Sequence, residues 1–281
     1  MRGRRSAPPH QRAAALCQPV CQLAATAAAT IARAGRRLRP ADVRRKGEGD
    51  FVTSVDLACE RRLRRDLARL APDAGFLGEE TEASDLDHDW LWVVDPIDGT
   101  SNFSRGLFHH AVSIALLWRG APLLAVVHCQ PEAAVYSAVA GAGTRRNGRR
   151  VHLPRGTLGD AAIVGCQWHR GQQDLAFVAR LQRGGGRVRT FGCTVTQLVD
   201  VVMGRLDANV QEQGRLWDFA AAGLLVQEAG GRFTDWRGRP VFPCRNLAVG
   251  HTPTIAAGPV VHRHIVRLLR GLEARLVVSP E

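Results

Sequence analysis

The sequence is nearly without lysine. Lys46 is the only one, so the formal net charge of +12 comes almost entirely from arginine, much of it in "RGRR", "RRLRP", "VRRK" and "ERRLRR" before residue 66. A basic arm of this kind attracts polyanions. Aromatic interleaving and a nucleic-acid fold motif are both missing, however, which favours a solvated arginine-biased surface over nucleic-acid recognition. No uninterrupted apolar run approaches a membrane span, which argues against a membrane protein. The seven cysteines, Cys17, Cys21, Cys59, Cys129, Cys166, Cys193 and Cys244, show neither CxxC pairing nor a disulfide framework. Their pattern fits reduced thiols in a cytoplasm. There is no internal repeat, and no low-complexity segment beyond the arginine and alanine bias.

What is present is enough chain for a large core. The 281 residues exceed the usual single-domain size, and 45% of them are hydrophobic, as expected of a soluble globular protein. After an irregular start over residues 1–11, an alanine-rich segment to about Arg37 has helix-forming composition. Its basic, acid-poor character resembles a transit peptide, but an amphipathic first helix fits better. In "DFVTSVDLACERRLRRDLARLAPDAG" a short turn precedes a second long helix with Leu57, Leu63, Leu67 and Leu70 at helical intervals. The runs "WLWVVD", "HAVSIALLWRG", "APLLAVVHCQP" and "AAVYSAVAG" read as sheet strands, with "RRNGRR" as an Asn-Gly hairpin turn.

From about residue 154 strands and helices alternate: "AAIVGCQ", "QQDLAFVARLQR", "GRVRTFG", "TVTQLVDVVMGR", "LDANVQ", then "LWDFAAAGLLVQEAGGRFTDW", "NLAVGHT" and a last helix from "PVVHRHIVRLL". The pattern predicts an α/β (α+β) fold with helices sandwiching two sheets. It divides into an N-terminal α+β lobe over residues 1–152 and a C-terminal α/β lobe over residues 153–281.

The segment "WVVDPIDGTSNF" carries the chemistry. Asp95 stands at the carboxyl end of an apolar strand, where α/β proteins open their crevices. Pro96 stiffens the turn that leads to Asp98. Two carboxylates and the Ile97 carbonyl facing one point would supply the hard oxygen ligands preferred by Mg²⁺ or Mn²⁺. Glu79 and Glu80 of "GEET" and Asp218 of "LWDFAAAG" would add acids from separate segments, and a cation would offset their repulsion. Gly99 and Thr100 would turn backbone N–H groups toward a phosphate. Each feature also has an ordinary reading: Asp218 as a helix cap, Glu79 as a surface acid, "DPIDG" as an Asx turn. Their joint presence favours the metal site.

"WVVDPIDGTSNF" and "WDFAAAGLLVQEAGG" resemble the two signature segments of the inositol monophosphatase family of metal-dependent, lithium-sensitive phosphatases. The likeness runs from "KGEGDFVTSVD" through "GEE", "GAGTRRNGRR" and "GRLDA" to the double glycine. It implies the layered α-β-α-β-α sandwich of the sugar-phosphatase type and a homodimer. It also implies that Glu79, Asp95, Ile97, Asp98 and Asp218 bind two or three Mg²⁺ ions. Glu79, Thr100 and Asp56 would then activate water, and Gly99, Thr100 and Ser101 would hold phosphate.

On the substrate side, Gly192 and Thr194 of "RTFGCTVTQ" stand where the family has Gly-x-Ala, with threonine replacing a small alanine. Glu212 resembles an acid that binds a polyol, with its interval to Asp218 one residue short. Lys46 lies near a family lysine behind the first loop. Inositol 1-phosphate is the first candidate substrate. Histidinol phosphate, fructose 1,6-bisphosphate and 3′-phosphoadenosine 5′-phosphate follow. A role as an RNA or transcription-complex partner on the same scaffold is the alternative of another class. His109 and His110 are expected to be structural, and Cys193 a small buried thiol.

Overall fold

The structure is a computed structural model. It describes the chain except at residues 1–7, 39–41, 48–49, 82, 84–85, 131, 155, 157–161, 169–174, 245–250 and 273–281, and except for the side chains of residues 43–52. The elements in order are α1 (Pro9–Gly35), β1 (Val43–Gly47), β2 (Asp50–Thr53), α2 (Ser54–Leu70), β3 (Gly75–Gly78), β4 (Trp90–Asp98), α3 (Thr100–Ser104), β5 (His110–Trp118), β6 (Ala121–Gln130) and β7 (Ala134–Val139). They continue with β8 (Thr144–Arg146), β9 (Arg149–Val151), β10 (Ile163–Gln167), α4 (Ala176–Arg183), β11 (Arg187–Arg189), α5 (Thr194–Val202), β12 (Ala208–Gly214), α6 (Leu216–Glu228), β13 (Arg232–Asp235), β14 (Thr252–Ala257) and α7 (Pro259–Leu269).

Strands β3 to β9 form a seven-stranded sheet in chain order, and β11-β10-β12-β14-β13 form a five-stranded one. The strands of the larger sheet read as continuous apolar runs because both of its faces are covered. In β4, Leu91 and Val93 face the core shared with α5 and α6, while Trp90, Trp92 and Val94 face the core shared with α1 and α2. The central helices also touch Phe233 and Ala256 of the smaller sheet. The far face of that sheet packs Val164, Val210 and Ile255 against Phe177 and Leu181 of α4 and Val261 and Ile265 of α7. The layers are therefore α1/α2, large sheet, α5/α6, small sheet, α4/α7, which is the expected sandwich.

Several local expectations shift. Helix α1 begins at Pro9, ahead of the irregular start expected to residue 11, and runs through Pro19 without ending. By length and composition alone it is apolar enough to cross a membrane. Yet Ala13, Val20, Ala24, Ala28 and Ile31 share one buried cluster with Leu124 and Val126 of β6, as in a core helix. The "short turn" before α2 is an antiparallel pair, β1 with β2. The buried stripe of α2 opens with Asp56, Cys59 and Glu60 before Leu63 and Leu67, and Leu57 is only half-buried. The Asn-Gly hairpin forms with Asn147 and Gly148 both at positive φ, 48° and 79°. β14 was not foreseen, and most of "NLAVGHT" lies outside the described residues, as does the side chain of Lys46.

Candidate active site

The site is built at the carboxyl end of β4. In an unbroken strand, residues three apart point to opposite faces. Here Asp95 pairs with Ser113 and Asp98 with Ala111, so β4 carries one residue more than β5 across this stretch. That bulge turns both aspartates to the same side. It is the side of Val93 and Ala111, facing α5 and α6.

Parallel β3 brings Glu79 to the same place. Leu77 faces the α5/α6 core, so alternation returns Glu79 to that side, and the Glu79 amide continues the ladder onto Val94 O at 3.2 Å. Asp218 arrives from the first turn of α6, where its Oδ2 accepts the Arg215 amide at 2.8 Å. The capping role and a place in the site thus coexist. Ser113 Oγ donates to Trp217 O at 3.3 Å, tying β5 to the start of α6.

The carboxylates act on one another electrostatically. Burial pushes the Asp95 carboxyl well above the usual carboxylate range. The neighbouring charges of Glu79, Asp98 and Asp218 raise it further, as does a side-chain hydrogen bond with Glu79. Asp98 is pushed up to about 6 by burial, against hydrogen bonds from Cys193 and from the amides of Val195, Gly99 and Thr194. The Cys193 thiol donates to Asp98 Oδ2 at 3.0 Å and the Val195 amide to the same oxygen at 2.5 Å. Burial, with Asp98 beside it, lifts the thiol well above its ordinary pKa, in keeping with Cys193 as a hydrogen-bond donor to Asp98.

Behind this group, Thr100 Oγ1 lies 2.9 Å from Ile97 O and 3.1 Å from Asp56 Oδ1, within hydrogen-bond reach of either acceptor. Asp56 also accepts the Thr53 amide at 2.9 Å and the Thr53 hydroxyl, closing a capping box on α2. Burial pushes Asp56 up despite these bonds. Gly99 (φ 88°) opens α3, and a Cβ there would lie 2.7 Å from His109 O. Gly192 (φ 69°) and Cys193 pack against it, which brings "GCT" beside "DGT". Ser101 follows in α3, half-buried.

Thr194 is buried at the start of α5 and accepts Gln211 Nε2 at 3.0 Å. Glu212 is buried in β12; the carboxylates that act most strongly on Asp95 are Glu79, Asp98 and Asp218, not Glu212. His109 stacks on Phe191 (centroids 4.6 Å apart), and His110 tilts against Phe103.

The matching family profile is that of the inositol monophosphatase family, over residues 14–272. The chain belongs to the inositol monophosphatase family. It is 34% identical over 273 residues to an inositol-1-monophosphatase of Rhizobium meliloti, covering 94% of this chain and 98% of that one. It is 35% identical over 248 residues to the Nus factor SuhB of Pseudomonas aeruginosa, covering 83% and 90%. Among solved structures it is similar to the extragenic suppressor protein SuhB of Bartonella henselae, with a TM-score of 0.79 at 30% identity over 89% of this chain and 96% of that one. Inositol monophosphatase family membership supports a phosphatase, and the family is generally metal-dependent.

The donor set suits such a metal: carboxylates from three segments and the Ile97 carbonyl are hard oxygen ligands, and a cation would offset the burial and repulsion that raise Asp95. As they stand, no three His, Cys, Asp or Glu side chains among the described residues are drawn close enough to enclose an ion. Asp95 Oδ1 accepts the Ile97 amide at 2.9 Å, Asp98 Oδ2 turns to Cys193 and Val195, and Asp218 Oδ2 turns to Arg215.

Three contributors escaped the sequence reading. Asn102 Nδ2 donates to both His109 O (2.8 Å) and Phe191 O (2.7 Å), clamping the "GTSN" turn to the segment between β11 and α5. Cys193 binds Asp98. Glu60 lies behind Glu79 and Glu80. Only Glu60 left a mark in the sequence, as an acid one helical turn after Asp56 within the apolar stripe of α2.

Proposed function

We propose that the protein is a Mg²⁺-dependent phosphomonoesterase that hydrolyses a small polyol phosphate, with inositol 1-phosphate the first candidate. One observation supports the reading: the charges of Glu79, Asp98 and Asp218, carried by the ends of β3 and β4 and the start of α6, all act on the buried Asp95 carboxyl. These four acids and the Ile97 carbonyl would hold the metal, and Mn²⁺ would suit the same oxygens. When bound, the metal supplies Lewis acidity toward phosphoryl oxygen and lowers the pKa of water.

The chain's own residues do the rest. Gly99, Thr100 and Ser101 present backbone and hydroxyl donors to the phosphate. Thr100, fixed between Asp56 and Ile97 O, orients the attacking water, with Glu79 on its other side. Asp56, raised by burial, takes up a proton through the Thr100 hydroxyl. The water oxygen bonds to phosphorus as the bond to the ester oxygen breaks, and the departing alkoxide takes a proton from solvent, with no covalent phosphoenzyme. Gly192, Thr194 and Glu212 face the alcohol portion. The hydroxyl of Thr194, already engaged by Gln211, narrows the space that a small alanine would leave.

A phosphate-release panel over inositol 1-phosphate, histidinol phosphate, fructose 1,6-bisphosphate and 3′-phosphoadenosine 5′-phosphate tests this. Turnover is expected with Mg²⁺, lost in chelator and inhibited by lithium. Absence of metal-dependent release from all four would refute it. A homodimer in a cytoplasmic setting accompanies the proposal, in keeping with seven free cysteines.

A second reading draws on relatives named Nus factor SuhB and on the +12 charge: the chain would bind RNA or a transcription complex. Tight binding that weakens steeply with salt, alongside no turnover, would put this reading first.

A further inference from the structure

The side of β3 away from the candidate site carries a second acid. Glu60 projects from α2, is fully buried, and accepts the Glu80 amide on Oε2 at 2.9 Å. Its Oε1 is buried without a partner. The carboxylate lies flat against Gly78, where a Cβ would meet Oε1 at 2.5 Å and Oε2 at 2.6 Å. A side chain at this step of "GFLGEE" would therefore displace the Glu60 carboxylate.

Glu60 belongs to a polar line on α2. Asp56, four residues before it, holds Thr100 beyond β4. Arg64, four residues after it, donates to Thr81 Oγ1 at 3.4 Å. Residues four apart share one helix face, so α2 acts as a rail gripping the chain just beyond β3 and just beyond β4, next to Glu79 and Asp98.

From this we infer that Glu60 is a positioning residue for the active site. By fixing the Glu79–Glu80 backbone from behind, it sets the direction in which the Glu79 carboxylate reaches toward Asp95. The inference rests on the proposed phosphatase reading. Outer partners of metal ligands typically carry ten- to a hundredfold in affinity or activity.

The test uses the full chain, with calorimetric Mg²⁺ titration and phosphate release measured separately. Glu60→Gln keeps an acceptor for the Glu80 amide but replaces the carboxyl group; Glu60→Leu loses both. Mg²⁺ affinity is expected to fall about tenfold or more in Glu60→Leu and less in Glu60→Gln. KM for the ester at saturating Mg²⁺ should stay within about twofold, a split that general destabilisation does not produce. Gly78→Ala supplies a check independent of turnover. Alone it should lower both melting temperature and Mg²⁺ affinity, whereas in a Glu60→Ala background the added methyl should cost little. Unchanged Mg²⁺ affinity in Glu60→Leu, or equal damage from Gly78→Ala in both backgrounds, overturns the inference. A wild-type chain without metal-dependent release on any ester would instead defeat the phosphatase reading itself.

Discussion

Protonating one buried histidine should set the acid limit of this fold. His262 on α7 is 3% exposed, and its Nε2 lies 2.7 Å from Thr234 Oγ1. The Thr234 hydroxyl already donates to Asp235 O at 2.8 Å, so it accepts here, and neutral His262 carries its proton on Nε2. Burial depresses the pKa from 6.5 to about 4, and the nearby Arg232 and Arg263 push in the same direction.

Between those values the unfolded chain binds a proton that the folded chain refuses, so stability rises with pH across the window and is lost as pH falls from about 6.5 toward 4. Two-state linkage with these pKa values gives a loss of about 2 kcal/mol between pH 7 and pH 4.5. The part due to the two arginines shrinks in salt. Urea unfolding of wild type and His262→Gln at both pH values measures it, because glutamine can still donate to Thr234 but does not titrate. Wild type should lose about 2 kcal/mol more than the variant. Parallel losses in the two proteins would refute the reasoning. The same curves tell an assayer where falling turnover at acid pH reflects unfolding.

Asp98→Asn should reduce metal-dependent phosphate release to background while leaving unfolding free energy within about 1 kcal/mol of wild type, because an amide oxygen can still accept from Val195 and a buried charge is removed. Retained turnover would contradict its assignment as a ligand. Glu228, at the end of α6, accepts the Gly141 and Gly143 amides at 2.8 Å each, so Glu228→Ala should cost about 2 kcal/mol in urea unfolding; a change below about 0.5 kcal/mol would show that solvent replaces both bonds.

Much of this was legible in the sequence because it is local. The runs of β4, β5 and β6 are apolar throughout since helices cover both faces, and a hydropathy pattern records that directly. "DPIDG" and "LWDFAAAG" announce their acids at strand and helix ends. What stayed hidden depends on partners far along the chain. Asn102 meets Phe191 and Cys193 meets Asp98 across 89 and 95 residues, and no periodicity encodes such pairings. Strand β14 was missed because threonines and Pro253 dilute its alternation; its central position between β12 and β13 comes from tertiary pairing. The β1–β2 pair was read as a turn because arginines crowd a stretch with little apolar pattern. On α2 the signal existed but leucine spacing masked it: the buried stripe begins with acids.

The single surplus residue of β4 also protects the alignment of the large sheet. If β4 slipped by one position against β5, both aspartates would swing toward Val112 and Ile114, into the apolar core packed by α1 and α2, where burying an ionised carboxylate is costly. Misregistered pairings are thereby penalised by the same acids that a catalyst would use, so chemistry and folding fidelity draw on one pair of side chains.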